Sequence, residues 1–129
     1  MLIVRIWCAD ETLVLITALF CVLGHMFPIW LKGKGGKGVA TTLAVLLMVA
    51  PWLGVIACFT WVILFFITRI SSLSSLIAML VVGVISFFYV TDDIFYIAFT
   101  LAALVTFKHH QNIKRLMLGQ EPRFTSKHS

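Results

Sequence analysis

Between Gly24 and Thr42 the chain reads Gly-His-Met-Phe-Pro-Ile-Trp-Leu-Lys-Gly-Lys-Gly-Gly-Lys-Gly-Val-Ala-Thr-Thr. It brings His25, three lysines and five of the chain's eight glycines to a break between two apolar segments. Glycines let a ligand approach the backbone closely, and the free N–H groups at a helix N-terminus attract an anion. Gly35-Gly36-Lys37-Gly38 leads into such a helix near Val39, and Lys37 adds a point charge suited to phosphate. Two further polar groups could complete a phosphate shell. One is the run Arg69-Ile-Ser-Ser-Leu-Ser-Ser75, whose serines offer hydroxyls; the other is His109 with Asn112, whose i, i+3 spacing puts them on one helix face.

Each group also has a plainer reading. Lys32 and Lys34 could serve only as topological anchors, the serines as N-caps of the next helix, and His109 and His110 as solvated tail residues. The convergence of all three groups on one face favours the phosphate site. A nucleotide P-loop is excluded, because Gly38 rather than Ser or Thr follows Lys37. No metal is expected, since neither His25 nor the His109–His110 pair has a cysteine or carboxylate at ligand spacing.

The elements that must hold these residues are membrane helices. Of the 129 residues 61% are hydrophobic and only 12% charged, against about a quarter charged in soluble domains. The sequence therefore predicts an all-α, polytopic integral membrane helix bundle forming a single domain over residues 1–129. Spans are expected near 12–31, 39–49, 52–68, 73–90 and 94–107, with a polar tail over 108–129. The long apolar run from Val39 to Thr68 divides at Ala50–Pro51, because the residue before a proline avoids helical geometry. Trp30, Trp52, Tyr89 and Tyr96 fall near the expected ends, where interfacial aromatics belong. Cys8, Cys21 and Cys58 are far apart and are expected to be buried, inert thiols.

Five crossings put Lys32, Lys34, Lys37, Arg69 and the basic tail on one side, and Asp10, Glu11, Asp92 and Asp93 on the other. Positive residues favour the cytoplasm, so the N-terminus is expected outside and the C-terminus inside. The net charge of +5 is thus a topology signal and not a nucleic-acid footprint.

These motifs resemble the bacterial acyl-phosphate-dependent glycerol-3-phosphate acyltransferases, a family of membrane-integral enzymes. The family pattern G-H-x-F-P, then G-G-K-G-V-A-T, matches Gly24 to Pro28 and Gly35 to Thr41. Its serine turn is similar to Arg69–Ser75, and H-x-x-N-I-x-R-L followed by G-x-E matches His109 to Leu116 and Gly119 to Glu121. The resemblance implies transfer of a fatty acyl group from acyl phosphate to the 1-hydroxyl of sn-glycerol 3-phosphate, giving lysophosphatidate without a cofactor. It implies substrate binding by Gly35, Gly36, Lys37, Gly38, Ser71, Ser72, His109, Asn112, Arg115 and Glu121. Lys37, His109 and His25 would serve the chemistry, His25 either directly or by bracing the Phe27–Pro28 turn. The implied setting is a bacterial cytoplasmic (inner) membrane, crossed several times, with the active face cytoplasmic.

The family usually has seven spans, with a first motif between the first two; nothing here matches it. By resemblance the chain is the last five spans of a seven-span fold. That leaves open a separately encoded N-terminal half as partner, an inactive truncated remnant, or a misplaced start. The reading from another class is a non-enzymatic small membrane protein with a cationic anchor loop.

Overall fold

The computed structural model describes residues 10–28 and 35–124. The expectations for Cys8, Trp30, Lys32, Lys34 and the end of the first span at Leu31 lie outside the described residues. Among the described residues six helices follow one another: α1 (Glu11–Met26), α2 (Val39–Val49), α3 (Pro51–Thr68), α4 (Ser71–Tyr89), α5 (Asp92–Lys108) and α6 (His110–Met117).

Local sequence accounts for most of the boundaries. Asp10 caps α1, its carboxylate accepting from the Thr12 amide at 2.9 Å. The helix ends at Met26, and Phe27 leaves helical geometry at φ −130°, ψ 58°. Pro28 explains this stop, because it pushes the residue before it out of the helical region. Ala50 breaks the long apolar run (φ −137°, ψ 80°), and Pro51 opens α3 at a position where its missing N–H costs nothing. Between α3 and α4 the chain turns at Arg69, which adopts a left-handed φ of 59°. Helix α4 begins two residues earlier than the expected 73, so the serine run is its first turn and not a loop. Nor do the serines cap it: Ile70 is the N-cap residue, and it makes no side-chain cap bond.

The helices pack through small and branched side chains. Ala18, Val22 and Met26 of α1 meet Val45, Ala78, Met79, Leu101, Ala102 and Val105 in one cluster joining α1, α2, α4 and α5. A second cluster joins α2, α3, α4 and α5 through Leu46, Ala50, Leu53, Ala57, Val82 and Ala98. Outward faces are conspicuously apolar, with Phe20, Phe59, Phe66, Ile67, Leu80 and Phe88 exposed. A bundle bathed in lipid would show this inversion of the soluble pattern. Cys21 lies on an exposed face and Cys58 is half-buried, so neither is the buried thiol expected from the sequence.

Among the described residues two helices are long and apolar enough to cross a bilayer: Pro51–Thr68 and Ser71–Tyr89, each with mean hydropathy 2.1. At 1.5 Å per residue an 18-residue helix covers about 27 Å, close to a hydrocarbon core of about 30 Å. Helices α1 and α2 are shorter, with 16 and 11 residues.

Candidate functional site

The ends of the helices gather a polar cleft of about 590 Å³ on one face of the bundle. Lys37 enters it from the glycine loop, Ser71 and Ser72 from the first turn of α4, and His109, Asn112, Arg115 and Glu121 from the C-terminal segment. Seven of the residues expected from sequence therefore share one cavity. His25, Gly35, Gly36 and Gly38 do not line it.

The glycine loop is shaped by close approach. A Cβ on Gly35 would strike the carbonyl oxygens of His25 and Met26, and one on Gly36 would lie 2.5 Å from Nε2 of His25. His25 thus packs against the loop from outside the cleft. Gly38 is the N-cap of α2 at φ 77°, a left-handed conformation that glycine adopts without strain. The helix N-terminus and the exposed Lys37 consequently meet at the cleft edge.

His109 occupies the corner between α5 and α6 and is 1% exposed. Its Nδ1 lies 2.7 Å from the carbonyl oxygen of Val105. A carbonyl can only accept, so Nδ1 carries the proton and Nε2 of the neutral ring keeps its lone pair. Burial lowers the pKa of this imidazole below its ordinary value, and the Lys37 charge acts the same way; the Val105 bond and Glu121 oppose them. The net effect favours the neutral ring, whose Nε2 is an acceptor.

Glu121 ties the C-terminal segment to two helices. Its Oε1 accepts from the Ser72 hydroxyl at 2.6 Å and from the Asn112 amide, and its Oε2 pairs with Arg115 Nε at 2.7 Å. Burial of this side chain raises the carboxyl pKa, but the bonds from Ser72, Asn112 and Arg115 and the Arg115 charge outweigh it. The net result is a carboxyl lowered to about 2. In this arrangement Ser72 and Asn112 are engaged by the carboxylate, while Arg115 remains 40% exposed. Beyond Glu121, the Phe124 amide donates to the Arg69 carbonyl at 2.7 Å, which pins the segment against the α3–α4 turn.

A sequence model of the family described as "Glycerol-3-phosphate acyltransferase" matches residues 1–119. The chain belongs to the glycerol-3-phosphate acyltransferase family. A glycerol-3-phosphate acyltransferase of Wolbachia pipientis subsp. Culex pipiens (strain wPip) is 44% identical over 115 residues, which are 89% of this chain and 60% of the relative. The enzyme of that name from Nitrosomonas europaea is 40% identical over 120 residues, 92% of this chain and 60% of the relative. The chain thus spans about three fifths of the length of these acyltransferases.

Two solved structures share the fold. Both are crystal structures of PlsY (YgiH), described as an integral membrane glycerol 3-phosphate acyltransferase. The glycerol 3-phosphate form superposes with a TM-score of 0.85 at 34% identity, covering 95% of this chain and 62% of that one. The lysophosphatidic acid form gives 0.83 at 33% identity, covering 95% and 63%. The helix bundle of this chain is thus similar to that of an integral membrane glycerol 3-phosphate acyltransferase.

One cleft residue, Trp61, was not expected from sequence, and Ser75 was expected only as part of the serine run. Trp61 of α3 donates from Nε1 to the Ser75 hydroxyl at 3.0 Å, and both residues line the cavity. Trp61 also stacks on Phe65, with centroids 5.1 Å apart and planes 7° from parallel. Its one sequence signal was an indole N–H in the middle of an apolar helix, where such a donor needs a partner. An apolar groove of about 650 Å³ also runs between α4 and α5, lined by residues including Met79, Leu80, Gly83, Val84, Phe87 and Phe99. Its wall reaches Leu76 and Thr106, which in sequence lie next to Ser75 and three residues before His109.

Proposed function

We propose that this chain transfers a fatty acyl group from acyl phosphate to the sn-1 hydroxyl of glycerol 3-phosphate, making lysophosphatidate for phospholipid synthesis. The observation that carries this reading is the convergence of Lys37, Ser71 and His109 on one cleft in a chain of the glycerol-3-phosphate acyltransferase family. Both substrates are phosphates, which suits a cleft entered by a lysine and the N-terminus of α2. The apolar groove between α4 and α5 suits a fatty chain.

In this reading the glycerol hydroxyl oxygen attacks the carbonyl carbon of acyl phosphate. The bond from that carbon to the phosphate oxygen breaks, and inorganic phosphate departs. Phosphate is a good leaving group, so no enzyme nucleophile is needed; positioning and electrostatic stabilisation carry the rate. The hydroxyl proton goes either to Nε2 of His109 or to an oxygen of a substrate phosphate. Lys37 holds phosphate at the cleft edge, with Ser71, Ser72, Asn112 and Arg115 around it, while Gly35, Gly36 and Gly38 let the loop pack closely enough to present Lys37. His25 and Glu121 act by bracing the loop and the C-terminal segment.

The site faces the cytoplasm of a bacterial inner membrane. Charge placement supports this: Lys37, Arg69, Lys108, Lys114 and Arg115 fall at one set of helix ends, and Asp10, Glu11, Asp92 and Asp93 at the other.

The test is acyl transfer from acyl phosphate to labelled glycerol 3-phosphate by the membrane-embedded chain. Product that disappears in Lys37→Ala and His109→Ala supports the reading. Binding of glycerol 3-phosphate without product, restored to turnover by a co-expressed segment carrying the relatives' additional spans, would instead support one half of a split enzyme. Neither binding nor turnover under both conditions would sink the proposal.

A further inference from the structure

Lys108 ends α5 and directly precedes His109. Its charge reads at first as one more cytoplasmic anchor or phosphate contact, yet its side chain goes elsewhere. Nζ donates to the carbonyl oxygen of Met26 at 2.7 Å, across 82 residues of sequence. It also sits 3.8 Å from the centroid of the Phe27 ring.

Met26 is the last residue of α1, and the carbonyls at a helix C-terminus lack amide partners and carry partial negative charge. The ammonium therefore satisfies a helix end and an aromatic face together. Lys108 is absent from the cleft lining that contains Lys37 and Arg115. The same Met26 carbonyl, with that of His25, forms the surface on which Gly35 lies, and Lys37 follows two residues later. On the other side, His109 is fixed to Val105. One side chain thus ties the base of the glycine loop to the corner that carries the imidazole.

Building on the functional reading above, we propose that Lys108 is a positioning residue that sets the distance between the phosphate-binding loop and His109. It acts through the Met26–Phe27 helix end and does not touch substrate. Loss of a charged hydrogen bond of this kind weakens what it supports by roughly tenfold.

The test uses the full chain in detergent with Lys108→Met and Lys108→Arg. Equilibrium binding of glycerol 3-phosphate should weaken roughly tenfold in Lys108→Met. It should largely recover in Lys108→Arg, since a guanidinium also bonds a carbonyl and stacks on a ring. In the Lys37→Ala background the Lys108→Met loss should shrink, because the loop it steadies no longer carries the charge; losses that simply multiply would overturn the proposal and mark a direct phosphate contact. Hydrogen exchange without ligand gives a readout independent of catalysis. Amides over residues 35–38 should exchange faster in Lys108→Met and return in Lys108→Arg, with α3 and α4 unchanged. Unaltered loop exchange overturns the positioning role. A wild-type chain that binds no glycerol 3-phosphate, alone or with the co-expressed segment, overturns the functional reading instead, and leaves the exchange result to decide the role of Lys108.

Discussion

Nδ1 of His109 is bonded to the carbonyl of Val105, one helical turn earlier, at 2.7 Å. This bond decides which nitrogen can act, because a ring that donates at Nδ1 offers a lone pair at Nε2. It also fixes the imidazole to the end of α5, so the ring is not a freely rotating tail residue.

His109 should titrate below the ordinary imidazole value, because burial and the Lys37 charge disfavour its protonated form. The sign follows from linkage. A depressed folded-state pKa means that the stability contributed by neutral His109 is full above the ordinary value of 6.5 and is lost as pH falls through the folded value. Imidazole NMR, assigned by the signal missing in His109→Gln, should show a titration below 6.5, moving upward in Lys37→Met. A midpoint at or above 6.5, or no response to Lys37→Met, would contradict this account of the site.

Glu121→Ala should destabilise the fold by roughly 1–3 kcal/mol, the cost of leaving buried donors without an acceptor. Ser72 and Asn112 both lose their partner, and Arg115 its charge complement. With its carboxyl lowered to about 2, Glu121 contributes fully above its ordinary value of 4.5, and that contribution fades as pH falls from there through about 2. Denaturant unfolding in detergent reads the first effect, and the same variant at low pH reads the second. The gap between wild type and Glu121→Ala should close on acidification.

Gly35→Ala and Gly36→Ala should differ sharply although the residues are adjacent. The first sets a methyl against the backbone carbonyls of His25 and Met26, which cannot step aside; the second meets only the tip of the His25 side chain. Glycerol 3-phosphate binding should be lost in Gly35→Ala. It should be reduced severalfold at most in Gly36→Ala and regained in Gly36→Ala/His25→Ala. Equal losses in both single variants would mean that close packing does not set the loop.

Arg69 sits at φ 59°, a conformation that costs a residue with a Cβ about 1–2 kcal/mol. Arg69→Gly relieves that strain but adds about 0.5–1 kcal/mol of unfolded-chain entropy, so its stability should match or slightly exceed wild type. Arg69→Val puts a branched side chain into the same geometry and should fall about 1–2 kcal/mol below Arg69→Gly in chemical denaturation.

What could be read from the chain alone was whatever depends on near neighbours. Composition placed the helices in a membrane, and the break at Ala50–Pro51 followed from the steric demand of one proline ring. The three polar groups of the cleft were legible because each is a compact motif: Lys37 among glycines, Ser71 with Ser72, and His109 with Asn112. The same steric demand acts at Phe27–Pro28, where α1 ends at Met26. Tertiary structure alone decided what each polar group is for. Ser72 meets Glu121 across 49 residues, Lys108 meets Met26 across 82, and Trp61 meets Ser75 from another helix. Local propensity sets where helices begin and end, but the partner of a buried charge or hydroxyl is chosen by which helix ends the packing brings together.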